Sequence, residues 1–431
     1  MRSLFGAIRN KALKYGTNGF LFLLDGVFVN AATILTTGAF ISGIFVYLKA
    51  PDSIVGIVNT ANVWATAFAL ASCFIFNKVK NTKRFLILSS IVARTMICSI
   101  VILPHIFGFG ATTVGIAAFL VIGGNIVWSV YAVGANIWLM ATIPREDRST
   151  FVYLRSLWLR ISFALTSIVM GFVLDAFGDR LAGFTLVFAL SFVFSISDIL
   201  VLLKIPYTCG KAKGVNTMNP SLLVAPFRDR VYRNYLIFTF VYYMSIYASA
   251  SFTSLYLIKY MGFSYKYISI ATVLCHVLMI VSIVFWKGME RKNGAVFVLR
   301  WSAVVMGLEQ FAYGFLFQGN FVVPFIAAFF AGIGSGGFNI IIFSYRYSIM
   351  PENNATNYET WFMVIHGLGI IAGPIVGNIL RPVLAGVLGG TAMLSEFQAM
   401  YFIASAAAFA AVLIFFGKRT KRTKKLRSNV C

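Results

Sequence analysis

Several ionisable side chains sit inside long apolar runs, where a chain of this kind should not carry them. They are Asp25, Arg94, Arg155, Arg160, Asp198, His276, Glu309 and His366. A charge in hydrocarbon is costly, and by default it marks a proton or solute pathway or an internal ion pair. Carboxyl and imidazole groups can also bind a proton with an affinity that changes as burial changes. Asp25 and Glu309 are the first candidates for such proton coupling, with His276 and His366 behind them. Arg94, Arg160 and Asp198 are candidates for buried charge pairing, Asp198 with an arginine of its own half. For Arg160, structural pairing and solute contact both stand open, because a buried charge needs a partner either way. Arg346 and Glu359 fall near the ends of apolar runs, where long side chains can snorkel towards water. No nucleophile–base arrangement, no Gly-x-x-x-x-Gly-Lys-Ser/Thr loop and no metal-ligand cluster accompanies these residues. The chemistry implied is therefore not that of an enzyme, and no cofactor, metal ion or ATP hydrolysis is expected.

The elements that must hold these groups follow from composition. Hydrophobic residues make up 59% of the 431 and charged residues only 11%, against about 25% charged in an ordinary soluble domain. Apolar runs of the length that crosses a bilayer fill the chain, and in lipid each must pair its own backbone groups, which makes them helices. Alternating strands of a membrane barrel are absent. The runs are expected at 18–47, 54–76, 85–107, 112–142, 150–174, 182–204, 234–260, 267–286, 295–317, 321–347, 356–382 and 395–417. The fold class is thus an all-α polytopic membrane protein of about twelve spans.

A net charge of +23 could suggest nucleic acid, but the lysines and arginines sit in connections between apolar runs. One side takes Arg2, Arg9, Lys11 and Lys14, then Lys78, Lys80, Lys83 and Arg84, then Arg145 and Arg148. The 6–7 and 8–9 connections and the tail from Lys418 to Arg427 add to it. Such asymmetry places that side, with both termini, in the cytoplasm of a cell membrane. No nucleic-acid partner is implied. The five cysteines are scattered and odd in number, so they suggest neither a disulfide framework nor a zinc site. The basic, then apolar, N-terminal stretch lacks a cleavage site and is expected to remain as the first span.

The chain also repeats itself. Thr142-Ile143-Pro144-Arg145-Glu146-Asp147-Arg148-Ser149 has a relative in Ser348-Ile349-Met350-Pro351-Glu352-Asn353-Asn354-Ala355. Each is a turn with proline and an acidic residue between two apolar runs. Two pseudo-symmetric six-helix halves are expected: residues 1–206, then a cytoplasmic loop over 207–233, then 234–417 and a basic tail over 418–431. The loop carries the breakers Gly210, Gly214, Pro220 and Pro226. The sequon at Asn354 falls on the cytoplasmic side and should be unmodified. Gly332-Ile333-Gly334-Ser335-Gly336-Gly337 has the spacing of a dinucleotide loop but lies inside an apolar run. There small residues that let helices approach closely explain it better.

Two six-span halves, a long basic middle loop and cytoplasmic termini resemble the major facilitator superfamily of secondary transporters. That family carries a Gly-x-x-x-Asp-Arg-x-Gly-Arg-type loop between spans 2 and 3, often with a relic between spans 8 and 9. Here the 8–9 loop reads Gly288-Met289-Glu290-Arg291-Lys292-Asn293-Gly294, while Asn77 to Arg84 keeps basic residues without the acid or the glycines. The resemblance implies halves that rock about a midplane site lined by spans 1, 4, 7 and 10. Those spans do carry polar faces: Asn30, Thr33 and Thr37; Asn125, Trp128, Ser129 and Asn136; Tyr242, Ser245, Ser249 and Thr253 with Tyr243 and Tyr247 beside them; and Ser335 and Asn339. A single residue of this kind can equally be helix glue. Together they suggest a wet cavity.

A Gly-x-x-x-Gly-Pro-x-x-Gly stretch, frequent in span 5 of family antiporters, is missing there and occurs instead at Gly369 to Gly377 in span 11, where it reads as a kink and close packing. The expectation is a monomeric secondary carrier that imports a small sugar- or glycoside-like polar solute with a proton or other coupling ion. Multidrug efflux, and a non-transporting sensor or scaffold on the same fold, remain the alternatives.

Overall fold

The computed structural model describes residues 16–143, 148–178, 180–207, 220–351, 355–388 and 395–427. The turn residues 144–147 and 352–354, the N-terminal basic residues and most of the middle loop lie outside the described residues. Among those described, every regular element is helical, and eleven helical runs are long and apolar enough to cross a membrane. The protein is a multi-pass, all-α membrane protein. It divides into two compact units: residues 1–217 with 264–266, and residues 218–263 with 267–431.

In the first unit the opening span is broken into α1 (Gly16–Ile34) and α2 (Gly38–Tyr47). Two threonines explain the break. The Thr36 hydroxyl donates to the carbonyls of Ala32 and Thr33, and that of Thr37 to Thr33. Such back-bonding bends a helix, and Gly38, at φ 57°, supplies a left-handed conformation that a side chain would resist. The run expected at 54–76 is more fragmented. It consists of α3 (Asp52–Asn59), α4 (Ala61–Trp64), a 3₁₀ stretch over Ala65–Leu70 and α5 (Ala71–Lys78). Here Thr60 donates back to the Gly56 carbonyl and the Trp64 indole to that of Ile57, 3.2 and 3.1 Å away. Side chains thus compete with the helical ladder where hydropathy alone reads a continuous span.

The remaining helices of this unit are α6 (Thr82–Cys98), the short α7 (Leu103–Phe107), α8 (Ala111–Thr142), α9 (Arg148–Ala176) and α10 (Leu181–Lys204). Asn81 caps α6 by accepting the Arg84 N–H at 3.1 Å. At one end the unit closes over Phe22, Leu86, Tyr131, Trp138, Phe151 and Leu202. Lys83 donates from there to the carbonyls of Leu203 and Ile205, 2.9 and 2.8 Å away. A cation thereby meets the negative end of the α10 dipole.

The second unit contains α11 (Pro220–Arg228), α12 (Arg230–Ala250), one turn of α13 (Thr253–Leu255) with a wider turn over Tyr256–Tyr260, α14 (Tyr265–Asn293) and α15 (Ala295–Tyr313). It ends with α16 (Val323–Ile349), α17 (Ala355–Leu388) and α18 (Glu396–Arg427). Its helices meet through glycine. A Cβ on Gly332 would stand 2.6 Å from the Cys275 carbonyl, and one on Gly334 2.5 Å from the Met306 nitrogen. The glycine run of α16 is therefore a contact surface for α14 and α15, not a nucleotide loop. Likewise Gly373 and Gly377 press α17 against Tyr247 and Ala248 of α12.

Candidate functional site

Each unit gathers polar groups inside its spans, and the two constellations differ in kind. In the first unit Asp25 of α1 is 4% exposed and pairs with Arg155 of α9 at 3.1 Å. Arg155 also donates to the Phe22 carbonyl at 3.3 Å. It lies across α1 where Gly26 leaves room: a Cβ there would stand 2.9 Å from the Arg155 Nε. Arg94 of α6, 3% exposed, donates to the Thr33 hydroxyl at 2.9 Å and stacks its guanidinium 3.9 Å from the centre of the Trp128 ring. Asp198 of α10, 1% exposed, lies within interaction range of the Asp25 carboxyl and of Arg94 and Arg155. Five helices thus converge on two carboxyls and two guanidiniums.

The candidate cavity residues of this unit other than Asn136 have protein partners. Asn30 donates to the Leu159 carbonyl, Thr33 to that of Val29, Thr37 to that of Thr33 and Asn125 to that of Val121. Trp128 serves as the face for Arg94. Asn136 alone of this set is exposed. Arg160 is half-buried and engaged in an interaction of its own. Sequence reading did not single out Tyr131 or Ser191. Tyr131 stacks 4.6 Å from Trp128, and the Ser191 hydroxyl donates to the Ala32 carbonyl at 2.9 Å. Tyr131 falls three residues after Trp128, the one signal that could have found it.

In the second unit tyrosines predominate, beside one buried ion pair, Arg346 with Glu359. Tyr242 donates to the Ala303 carbonyl at 2.8 Å and Tyr235 to that of Ile342 at 3.0 Å. Tyr243 stands edge-on to His366 at 4.3 Å, and Tyr247 stacks on Tyr243. Glu309 of α15 is half-buried and has no ion-pair partner among the described residues. Tyr242, Tyr247, Tyr313 and Tyr401 all lie within electrostatic range of its carboxyl. Its neighbour Gln310 is buried and accepts from the Ser249 hydroxyl at 2.6 Å. His276 of α14 has its Nδ1 2.8 Å from the Thr272 carbonyl of its own helix. Asn339 is exposed, with its amide nitrogen 3.9 Å from the Met279 sulfur.

Arg346 does not snorkel. It is fully buried, holds Glu359 through two contacts of 2.8 Å and stacks 3.8 Å over Phe362. A guanidinium matched to a carboxylate by two contacts and covered by a ring needs no path to water. Among the described residues no group of side chains could hold a metal ion.

Comparison with known proteins agrees with this architecture. A mutant of the nucleoside transporter NupG superposes with a TM-score of 0.75 at 15% identity, over 93% of this chain and 99% of that one. A D-xylose–proton symporter gives 0.70 at 14% identity, over 93% and 97%. The xylose transporter XylE from E. coli gives 0.67 at 11%, over 92% and 95%. These likenesses are of fold. No curated protein matches the sequence. The sequence model described as Major Facilitator Superfamily matches residues 23–374, which is most of the chain, and the protein therefore belongs to the Major Facilitator Superfamily of membrane transporters.

Proposed function

We propose that this protein is a secondary active transporter that imports a small polar organic solute together with protons. The solute class is sugar-like or nucleoside-like, a ring bearing several hydroxyl groups. It works as a monomer in the cell membrane, with both termini on the cytoplasmic face, in keeping with the distribution of lysine and arginine. It works by alternating access, as secondary carriers do. Tyr243, Tyr247 and Trp128 supply faces on which a ring can stack. Asn136, which is exposed, supplies a hydrogen-bonding group as it stands, and Asn30, Thr33, Thr37, Asn125, Tyr242 and Asn339 supply theirs once their present partners are exchanged. The comparisons support the solute class only as a choice of probes, since xylose and nucleoside transporters share the fold at low identity.

The observation that carries the reading is Glu309. It is a carboxyl inside a span, ringed by tyrosines, with no cation paired to it among the described residues. A carboxylate alone in hydrocarbon costs several kcal/mol, so it binds a proton when water leaves and gives it up when water returns. That cycle is what coupling requires.

The test is counterflow of labelled xylose and of a labelled nucleoside in proteoliposomes, with and without an inward pH gradient. An importer accumulates one of them with the gradient, and Glu309→Gln or Asp25→Asn abolishes accumulation while sparing exchange. Accumulation against the inward proton flow would replace import by efflux. Absence of exchange with either probe would remove the reading.

A further inference from the structure

We infer that Asp25 and Asp198 form a single proton-binding site, the two carboxyls sharing one proton, with Arg94 as the cation that takes Asp198 when that proton leaves. The inference deepens the proton-coupled reading above and rests on it only for its role in transport.

The geometry is specific. Asp25 stands on α1 and Asp198 on α10, both buried, with their carboxyls within interaction range of each other. Each keeps one buried oxygen, Oδ1, that has no hydrogen-bond partner among the described residues. Two ionised carboxylates at that separation repel, and neither can donate. One proton between them turns the repulsion into a hydrogen bond and gives the pair the donor that it lacks. Protons bound this way belong to the pair rather than to either residue.

The other charged and titratable groups around the pair give the switch its second position. From α9, Arg155 already binds Asp25 at 3.1 Å. From α6, Arg94 acts on Asp198 electrostatically, yet its hydrogen bonds go to Thr33 and the Val29 carbonyl, and its Nε has no partner. Cys98, also on α6, and Tyr131 of α8 complete the set. In the protonated state Arg94 is therefore held by neutral acceptors and the face of Trp128. Loss of the proton to water leaves two carboxylates and two guanidiniums, one cation for each anion. Asp198 then turns from Asp25 to Arg94. This exchange loosens α1 from α10 and tightens α10 against α6, which ties proton occupancy to the packing of the first span.

The test is infrared difference spectroscopy of the full chain in lipid, following the carboxylic C=O stretch as pH is varied. The wild type should show a protonated-acid band that either Asp25→Asn or Asp198→Asn removes, because each variant leaves one aspartate facing its own arginine. Asp198→Glu, which keeps an acid at the position and answers for folding, should restore it. Persistence of the band in either Asn variant, or two independent acid bands lost separately, would overturn the proposal. A band that sodium abolishes at constant pH would overturn it too, since the site would then be a sodium site. If the bands behave as expected but neither solute probe exchanges, the pair stands and the carrier reading falls. If proton-driven accumulation survives with the band unchanged in both variants, the carrier reading stands and the pair falls.

Discussion

The two units belong to one fold, yet they satisfy the buried polarity of their inner spans with a different balance of groups, the Arg346–Glu359 pair of the second unit aside. The first brings full charges together: Asp25 with Arg155, and Asp198 beside Arg94. The second reaches from tyrosine hydroxyls to backbone carbonyls, as Tyr235 does to Ile342, Tyr242 to Ala303 and Tyr256 to Leu316. Charges are coupled, so a change at one is felt by the others. A hydroxyl on a carbonyl is a local bond that strengthens a contact and signals little. The first unit therefore has charged parts that would rearrange together if one of them changed its charge. The second is a stiffer frame around one carboxyl, Glu309.

The largest effect that could break this contrast comes from Arg155→Ala. It leaves Asp25 buried without its partner, and stranding one ion of a buried pair costs about 3–5 kcal/mol. The variant should unfold at much lower denaturant concentration in detergent. Adding Asp25→Asn should recover a large part of the loss, since the stranded charge is then gone. If Arg155→Ala is as stable as the wild type, charge does not hold the first unit together.

A smaller effect separates the units by how their helices touch. At Gly377 a methyl group would enter the space of the Ala248 carbonyl, which is backbone and cannot step aside. Gly377→Ala should cost about 1–3 kcal/mol, the usual range for overpacking. At Gly26 the same methyl meets Leu159 and Arg155, both side chains that can move. Gly26→Ala should therefore cost less stability than Gly377→Ala while displacing Arg155. Thermal melts of the two variants in the same detergent rank them, and a reversed order would contradict the picture of a yielding first unit and a rigid second one.

What the sequence shows, and what it hides, follows the same division. Span existence is legible because hydrocarbon thickness sets a length that a linear pattern can report. The breaks within spans are not. Fragmentation over 52–78 depends on Thr60 and Trp64 bonding back to carbonyls, which hydropathy does not register. The residue types of the charged site were visible, because a charge in an apolar run stands out. Their pairing was not, since Asp25 and Arg155 are 130 residues apart and no spacing rule links them. Threonine and asparagine were ambiguous for a similar reason. Asn30 bonds to Leu159 across a helix boundary, and the sequence reports its polarity but not its partner. Arg346 misled because position near a run's end suggests a route to water, whereas Glu359 and Phe362 enclose it.

The smallest expected effect sharpens the comparison most. Tyr242→Phe removes one hydroxyl from the Ala303 carbonyl and leaves the ring stacked 5.0 Å from Phe338. Interhelical hydrogen bonds in membranes are worth about 0.6 kcal/mol on average, and the freed carbonyl can still accept within its own helix. Tyr235→Phe should cost a similar amount, and the double variant should cost the sum, because the two hydroxyls serve different helices. In the first unit the corresponding pair, Arg155→Ala and Asp25→Asn, should be far from additive. Additivity measured by chemical unfolding thus reads the coupling itself, independently of how large any one loss is. Additive losses in the first unit, or strongly coupled losses in the second, would mean that the groups able to move together lie on the tyrosine side, and the coupling element would then belong to the surroundings of Glu309.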